Sequence, residues 1–562
     1  MRTPWFSLAL LGLVATTSVH AQLVVGPTAQ QVLDAALDAL GGTGPISQLT
    51  GITFHAPRIY RSRSLMQSYQ LMRADTSVMT SGSQNISYKF DVEDFQQRID
   101  RHATPSNSWS WGSPDLKPVD FSLVVHDGAD GFACYVNGNN MIHLPENATF
   151  GYTDAALAHN LVTEARMLSP HLIYRMRNTT SVSVSNEEIN GVYFRAVQDI
   201  QHGITVIMDS KSNMPYIVRT IESHPIYGNA TKDLYLSNYK EVEGIKFPHF
   251  IQTIYNSTTQ RLSAVLEDFL IEEITLNPDF PAGYFDGIPE NQSLGPKTSP
   301  AKSSIFANGL VTDYSSSMLG SGVAPQPLKV VRTENSVRGL SQVHWLVLND
   351  RDDLGFKMVI IEFEKEVILC DAPPGWSDTI MKWVSDNLEK PITFVAPSHH
   401  HRDHSGGVPD FVKAGVKLII PEIAVKYWSS VPGAEFVTFN ETHPYMHNDD
   451  KIAAWFNWED QPSHASDWTY VVVTERCASA DSPVVAFEAD SWEAGLDAEL
   501  SSQSQMRQWL DQIVSDGLPR HTIVFPSHGK ITPLEQLLEI TAYPYPNFDV
   551  TNWRDGAAIC GK

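Results

Sequence analysis

Positive charge is in short supply in this chain. Its 40 Lys and Arg stand against 64 Asp and Glu, a formal charge of −24 over 562 residues. Repulsion at that charge opposes binding to a polyanion at ordinary salt, which argues against nucleic acid as substrate or partner. Cysteine is scarce as well. Cys134, Cys370, Cys477 and Cys560 allow up to two disulfides without fixing a pairing, and none of them forms a C-x-x-C spacing. A thiolate zinc site is therefore not expected. Long apolar runs are missing too. Residues 6–15 are almost wholly apolar but too few to span a bilayer, and no later stretch is longer, so no stable membrane anchor is expected. What is present is 42% hydrophobic residues with 34 Gly and 34 Pro, the composition of a folded, loop-rich protein. The length exceeds what one core supports and suggests two domains.

Residues 1–21 have the pattern of a cleaved signal peptide. Arg2 begins a basic region, the apolar run follows, and Val19 and Ala21 offer small residues at the cleavage site. A secreted, extracellular protein is expected, with a mature chain starting near Gln22. Seven N-x-S/T sequons fit that setting: Asn85, Asn147, Asn178, Asn229, Asn256, Asn291 and Asn440. About three would arise by chance, so the excess predicts a glycoprotein.

Residues 28–42 read as a helix, with a Thr28–Gln31 capping box, an apolar face of Val32, Leu33, Ala36, Leu37 and Leu40, and a Gly41–Gly42 stop. From there to about 290 the pattern is short alternating segments broken by Gly, Asn, Pro and Asp, which predicts a mainly antiparallel β domain over 22–290. Residues 291–326 are rich in Ser, Pro and Gly and read as a linker. From 327 to 545 strand and helix patterns alternate, the mark of an α/β domain, followed by a tail over 546–562. Within it, "KMVIIEFEKEVILCD" (357–371) suits two tightly joined buried strands. "WSDTIMKWVSDNLEK" (376–390) suits a helix with Ile380, Met381, Val384 and Leu388 on one face.

The chemistry concentrates in "SHHHRDHSGG" (398–407), just after the apolar strand "ITFVAP". Alternate side chains of an extended segment share a face, so His399 and His401 can grip one cation while His400 points away. Once the chain bends toward a helix, Asp403 and His404 can turn to a second cation, and Gly406–Gly407 lets the backbone bend. Imidazoles and carboxylates without thiolate suit borderline divalent ions: zinc first, then iron or manganese.

This motif resembles the first ligand loop, H-x-H-x-D-H, of the metallo-β-lactamase superfamily. The resemblance implies an αβ/βα sandwich in the C-terminal half and further ligands from later strand ends. His464 in "QPSHASDWTYVVV" matches the next histidine, with His443 and His447 as rivals in a stretch that reads as a hairpin turn. Asp490, ending "PVVAFEAD", matches the bridging carboxylate, with Glu488 as rival. His528 in "TIVFPSHG" matches the last, before a helix with Thr532 as N-cap, Pro533 in its first turn and Glu535 closing a capping box. Asp371, ending "EVILCD", matches the aspartate that steadies the ligand loop from behind. Ser398, Ser463 and Ser527 depart from the residues usual at those positions.

The ligand set implied is His399, His401 and His464 on one ion, Asp403, His404 and His528 on the other, and Asp490 between them. The implied activity is hydrolysis of a small ester, lactone, thioester or amide by water shared between two divalent ions, with Asp403 as the proton-handling residue. The opening "ALDALGG", "NYKEVEGIKFP" and "ITLNPDFPAGYF" resemble lipoprotein-carrier-like half-barrels. Two other readings accompany the hydrolase: a mononuclear iron oxygenase on the same fold, and binding of an apolar ligand through the N-terminal domain.

Overall fold

The computed structural model describes residues 27–63, 79–91, 94–105, 119–138, 150–224, 227–257, 263–304, 307–316, 330, 332–334, 337–348, 357–373, 375–495, 503–550 and 553. The expected leader (1–21), Asn147 and Cys560 lie outside them.

The N-terminal helix, Ala29–Leu40, forms as the sequence dictates. Thr28 accepts from the Gln31 amide, Gln31 returns the bond to the Thr28 amide, and Gly41 ends the helix at φ 123°. Its buried Leu33, Ala36 and Leu37 pack against one face of a fourteen-stranded sheet running between Gly51 and Leu276, in which every pairing is antiparallel. Neighbours in sequence are mostly neighbours in the sheet, for example Gly228–Val242 with Ile245–Ser257. Two more helices, Ala155–Leu168 and Leu172–Arg177, share that core with strand residues such as Phe54, Val206, Val218 and Phe247. This is the antiparallel sheet that the alternation predicts.

The stretch expected to be a bare linker is partly built. Residues Asn308–Ser316 form a helix that buries Leu310, Val311 and Thr312, and the Thr312 hydroxyl reaches both carboxylate oxygens of the buried Glu222 at 2.9 and 2.8 Å. Three apolar or small residues in a Ser-rich segment are enough to dock it. The tail is likewise not free throughout, since Val550 and Trp553 are buried in the C-terminal core.

The C-terminal half is four layers deep, and the period of two along each strand decides which layer a side chain enters. A seven-stranded sheet runs from Arg332–Glu334 to Phe436–Phe439, and a six-stranded sheet from Tyr445–Asn448 to Thr532–Pro533. Trp345, Val347, Val359, Ile361, Ile368 and Cys370 of the first sheet meet Ala454, Phe456, Val471, Val473, Val485 and Phe525 of the second in one core. The alternate residues Leu346, Met358, Ile360, Val367 and Leu369 face outward onto Ile380, Val384, Phe411 and Val412 of helices Ser377–Leu388 and Val408–Lys413. On the far side Tyr470, Val472, Ala486 and Val524 pack on Met506, Trp509, Leu510, Ile513, Leu534, Leu537 and Leu538 of helices Gln503–Asp516 and Leu534–Thr541.

Strand directions place the loops. Val367–Cys370 runs parallel to Ile392–Ala396, so Asp371 and the His399 motif leave the first sheet at the same end. In the second sheet Val484–Glu488 runs parallel to Ile523–Pro526, which puts Asp490 and His528 together. Tyr470–Glu475 is antiparallel to Val484–Glu488, so the loop that enters it, carrying His464, lies at that same end.

Candidate metal centre

The seven residues named from sequence converge as two groups that share one carboxylate. His399, His401, His464 and Asp490 form one, and Asp403, His404, Asp490 and His528 the other, with ligand atoms within 4.8 Å of one another in each. Asp490 Oδ2 lies 3.3 Å from His399 Nε2, 3.0 Å from His404 Nε2 and 3.5 Å from His464 Nε2, while its Oδ1 lies 3.3 Å from His528 Nε2. Asp403 Oδ2 stands 3.1 Å from His404 Nε2 and 3.6 Å from His528 Nε2, and His401 Nδ1 stands 3.2 Å from His464 Nε2. The side chains of His464 and Asp490 are 20% and 10% exposed, whereas those of His399, His404 and His528 are 2% or less, so the open side of the centre is the one they border.

The imidazoles are oriented from behind. His399 Nδ1 is 3.1 Å from Ser398 Oγ, and His404 Nδ1 is 2.8 Å from Asp371 Oδ2 and 3.2 Å from Ser527 Oγ. The Nε2 atoms of these two rings are buried and make no hydrogen bond, although carboxylates stand beside them. Buried, oriented and unbonded imidazole nitrogens facing carboxylates are what a divalent cation requires, so the residues fit a metal. Asp371 also accepts from the Ser398 amide at 2.7 Å, tying the start of the histidine loop to the neighbouring strand end. Asp371 and Asp490 both adopt left-handed backbone, at φ 71° and 65°, a strained conformation that concentrates at functional sites.

Electrostatics point the same way. Burial pushes His399 well down, helped by the neighbouring His401, which leaves its ring neutral. Burial also works against charge on Asp403, Asp490 and His404, but their mutual attraction wins. Asp403 and Asp490 fall well below the carboxylate range beside His404, and His404 rises well above the imidazole range beside Asp403, Asp490 and Asp371. A field that draws a proton onto a fully buried imidazole also draws a cation.

The rivals fall elsewhere. Glu488 is fully buried, and its Oε2 accepts from the amides of Ser491 and Trp492 at 3.1 and 3.3 Å, bracing the turn that carries Asp490. Burial, reinforced by Asp490, pushes it well above the usual carboxylate range. His447 sits in strand Tyr445–Asn448, not in the expected turn, and pairs with Glu366 at 2.8 Å. His443 bridges to Asn440.

Two local expectations need correction. Thr532 and Pro533 form a short strand, and the helix begins only at Leu534 with no side-chain cap. Pro533 there is extended at ψ 139°, and Glu535 is drawn to Arg520 at 2.6 Å. Gly407 is needed for space, not for bending. Its φ of −87° suits any residue, but a Cβ there would meet Pro373 O and Ser377 Oγ at 2.8 Å.

Several residues that position the centre carry no ligand signature and are invisible to motif reading. The Trp468 indole donates to Ala489 O beside Asp490, and Gln505 donates to Asp490 O from helix Gln503–Asp516. Thr469 donates to Ser398 O from its amide at 2.7 Å and its hydroxyl at 3.0 Å. Ser463 and Ser527, where the resembled pattern has other residues, both bond within the frame, Ser463 to Ser491 Oγ and Ser527 to Lys357 O.

Away from the centre, Asn85, Asn178, Asn229 and Asn291 are exposed. Asn256 and Asn440 are half-buried, with their amides donating to Asp233 and Glu422. Cys134 and Cys370 are buried free thiols, and Cys477 is disulfide-bonded. Among the described residues no helix is long and apolar enough to cross a membrane.

No family model matches this chain. No curated protein matches it either. Solved structures similar to part of this chain include a metallo-β-lactamase from Pontibacter korlensis (17% identity, 38% of this chain, 98% of that one, TM-score 0.29). Two others are a metallo-β-lactamase from Hirschia baltica (19%, 39% and 97%, TM-score 0.26) and FIM-1 from Pseudomonas aeruginosa in a mono-zinc form (19%, 39% and 94%, TM-score 0.27). Likeness at this level carries no argument about activity, for which the geometry of the donor groups is the guide.

Proposed function

We propose that the C-terminal half is a metal-dependent hydrolase that uses two divalent ions, zinc foremost, on a small ester, lactone, thioester or amide. The observation that carries this reading is the pair of four-residue donor groups sharing Asp490. His399, His401 and His464 would hold one ion, Asp403, His404 and His528 the other, with Asp490 between. Divalent ions held by these residues would supply Lewis-acid chemistry, activation of water near neutral pH and polarisation of a carbonyl.

The protein's own part is orientation and proton handling. Asp403, fully buried and held ionised, accepts a proton at a carboxylate oxygen. It would then pass that proton to the leaving group. Asp371 and Ser527 fix the ring of His404, and Glu488 fixes the turn of Asp490. An extracellular setting is supported by the exposed sequons and by the disulfide at Cys477.

The second complete donor group favours hydrolysis over the mononuclear oxygenase reading. One observation keeps the apolar-ligand reading in play for the N-terminal half: a cavity there is lined by Leu40, Phe54, Met167, Leu236, Phe247 and Ile251. The test is a panel of chromogenic esters, lactones, thioesters, β-lactams and phosphodiesters, run with chelator and after metal is restored. Turnover of an acyl substrate that chelator abolishes and zinc restores supports the proposal. Activity indifferent to chelator overturns it.

A further inference from the structure

His400 stands between two proposed ligands, and alternation along an extended segment would make it a bystander. The structure gives it a partner: its side chain is fully buried, and Nδ1 lies 2.6 Å from Oδ1 of Asp467, which is itself 2% exposed. Asp467 lies three residues beyond His464, on the other sheet's loop. The ring of His400 also packs against Tyr427, 5.4 Å between centroids.

The two loops joined here are the ones that carry His399 and His401 on one side and His464 on the other. Besides the contact between His401 and His464 themselves, the two Thr469 bonds to Ser398 O also cross between these loops. A buried imidazole–carboxyl hydrogen bond of this length is stronger than a surface pair, and neither partner has water to turn to if the other is lost.

We propose that His400 and Asp467 are positioning residues that set the distance between His464 and the His399–His401 pair, and so set the affinity of the first metal position. The bond runs through Nδ1, and His400 belongs to neither of the two donor groups. His400 therefore acts through the loops and not as a ligand. The inference rests on the metal reading for its consequence, while the tie itself is independent of it.

The experiment uses the full-length chain with His400→Leu, Asp467→Ala and His400→Asn. Asparagine places an amide N–H close to where Nδ1 stands and should rescue. The first measurement is hydrogen exchange of the 463–470 peptide in metal-free protein. We expect faster exchange in His400→Leu and Asp467→Ala, and near wild-type exchange in His400→Asn. The second is cobalt titration followed by its visible absorption. The first equivalent should bind about 10- to 100-fold more weakly in the two broken variants, as is usual when a group supporting a ligand is lost, and the second nearly unchanged.

Wild-type exchange in His400→Leu overturns the tie. Faster exchange with unchanged cobalt affinity overturns its role in metal positioning. Failure of the wild-type chain to bind cobalt overturns the metal reading instead, and the exchange data then still decide the tie.

Discussion

Removing the Asp371 carboxylate should destabilise the chain around the centre, although Asp371 binds no metal in the arrangement proposed. The carboxylate accepts from the Ser398 amide at 2.7 Å and from His404 Nδ1 at 2.8 Å, and all three groups are at most 2% exposed. Asp371→Ala leaves the buried Ser398 amide unpaired at about 1–3 kcal/mol, and leaves His404 Nδ1 only its contact with Ser527 Oγ, a weakening of up to about the same size. It also places alanine at a left-handed φ of 71°, which costs roughly 1 kcal/mol more. The expected destabilisation is therefore roughly 2–7 kcal/mol.

Asp371→Asn is the more informative partner. Its oxygen can still serve Ser398, but its amide would donate toward His404 Nδ1. The imidazole would answer by moving its proton to Nε2, the nitrogen aimed at Asp403 and Asp490. We expect a small stability loss together with about 10- to 100-fold weaker binding of the second ion. Urea unfolding followed by tryptophan fluorescence reads the first effect, since Trp345, Trp428, Trp468 and Trp509 are buried in this half. Cobalt titration reads the second. Asp371→Ala within about 1 kcal/mol of wild type would refute the reasoning.

Two other outcomes rest on the same physics. Asp403→Asn, nearly isosteric but unable to take up a proton, should cut turnover by about 100-fold or more on whichever substrate the panel identifies, checked by steady-state kinetics. In the N-terminal half, burial holds His171 down to about 4, opposed by its bond to Ile46 O. An unfolded histidine titrates near 6.5, so the unfolded chain takes the proton first: stability is whole above about pH 6.5 and is lost as pH falls toward 4. At pH 5 the loss should be about 2 kcal/mol, read as easier hydrogen-exchange opening of helix Leu172–Arg177, and His171→Gln should flatten it.

The site was more legible than its setting. His399, His401, Asp403 and His404 lie within six residues, in a bend after strand Ile392–Ala396, not in the extended segment expected, and in the short helix Arg402–Ser405, so local chain geometry brings them together. His464, Asp490 and His528 could be named because each borders an apolar strand, and parallel pairing then carries those ends to one edge. Asp467, Trp468 and Thr469 could not, because a tie between two loops has no periodicity of its own and depends on how the sheets stack. The helix Asn308–Ser316 was hidden for a related reason. Its apolar face is Leu310 and Val311 with Thr312, too narrow to stand out from a Ser-rich segment, and it is stabilised by a distant Glu222. At Thr532 the capping pattern was present, but pairing with strand Ile523–Pro526 claimed the residue first.

The central claim is that two metal positions share Asp490, and a metal count tests it most directly. Emission spectroscopy on purified full-length protein should give close to two divalent ions per chain. His401→Ala should lose mainly one, His528→Ala mainly the other, and Asp490→Ala should weaken both. A wild-type protein without stoichiometric metal, or an Asp490→Ala variant that keeps both ions at wild-type affinity, would contradict the account.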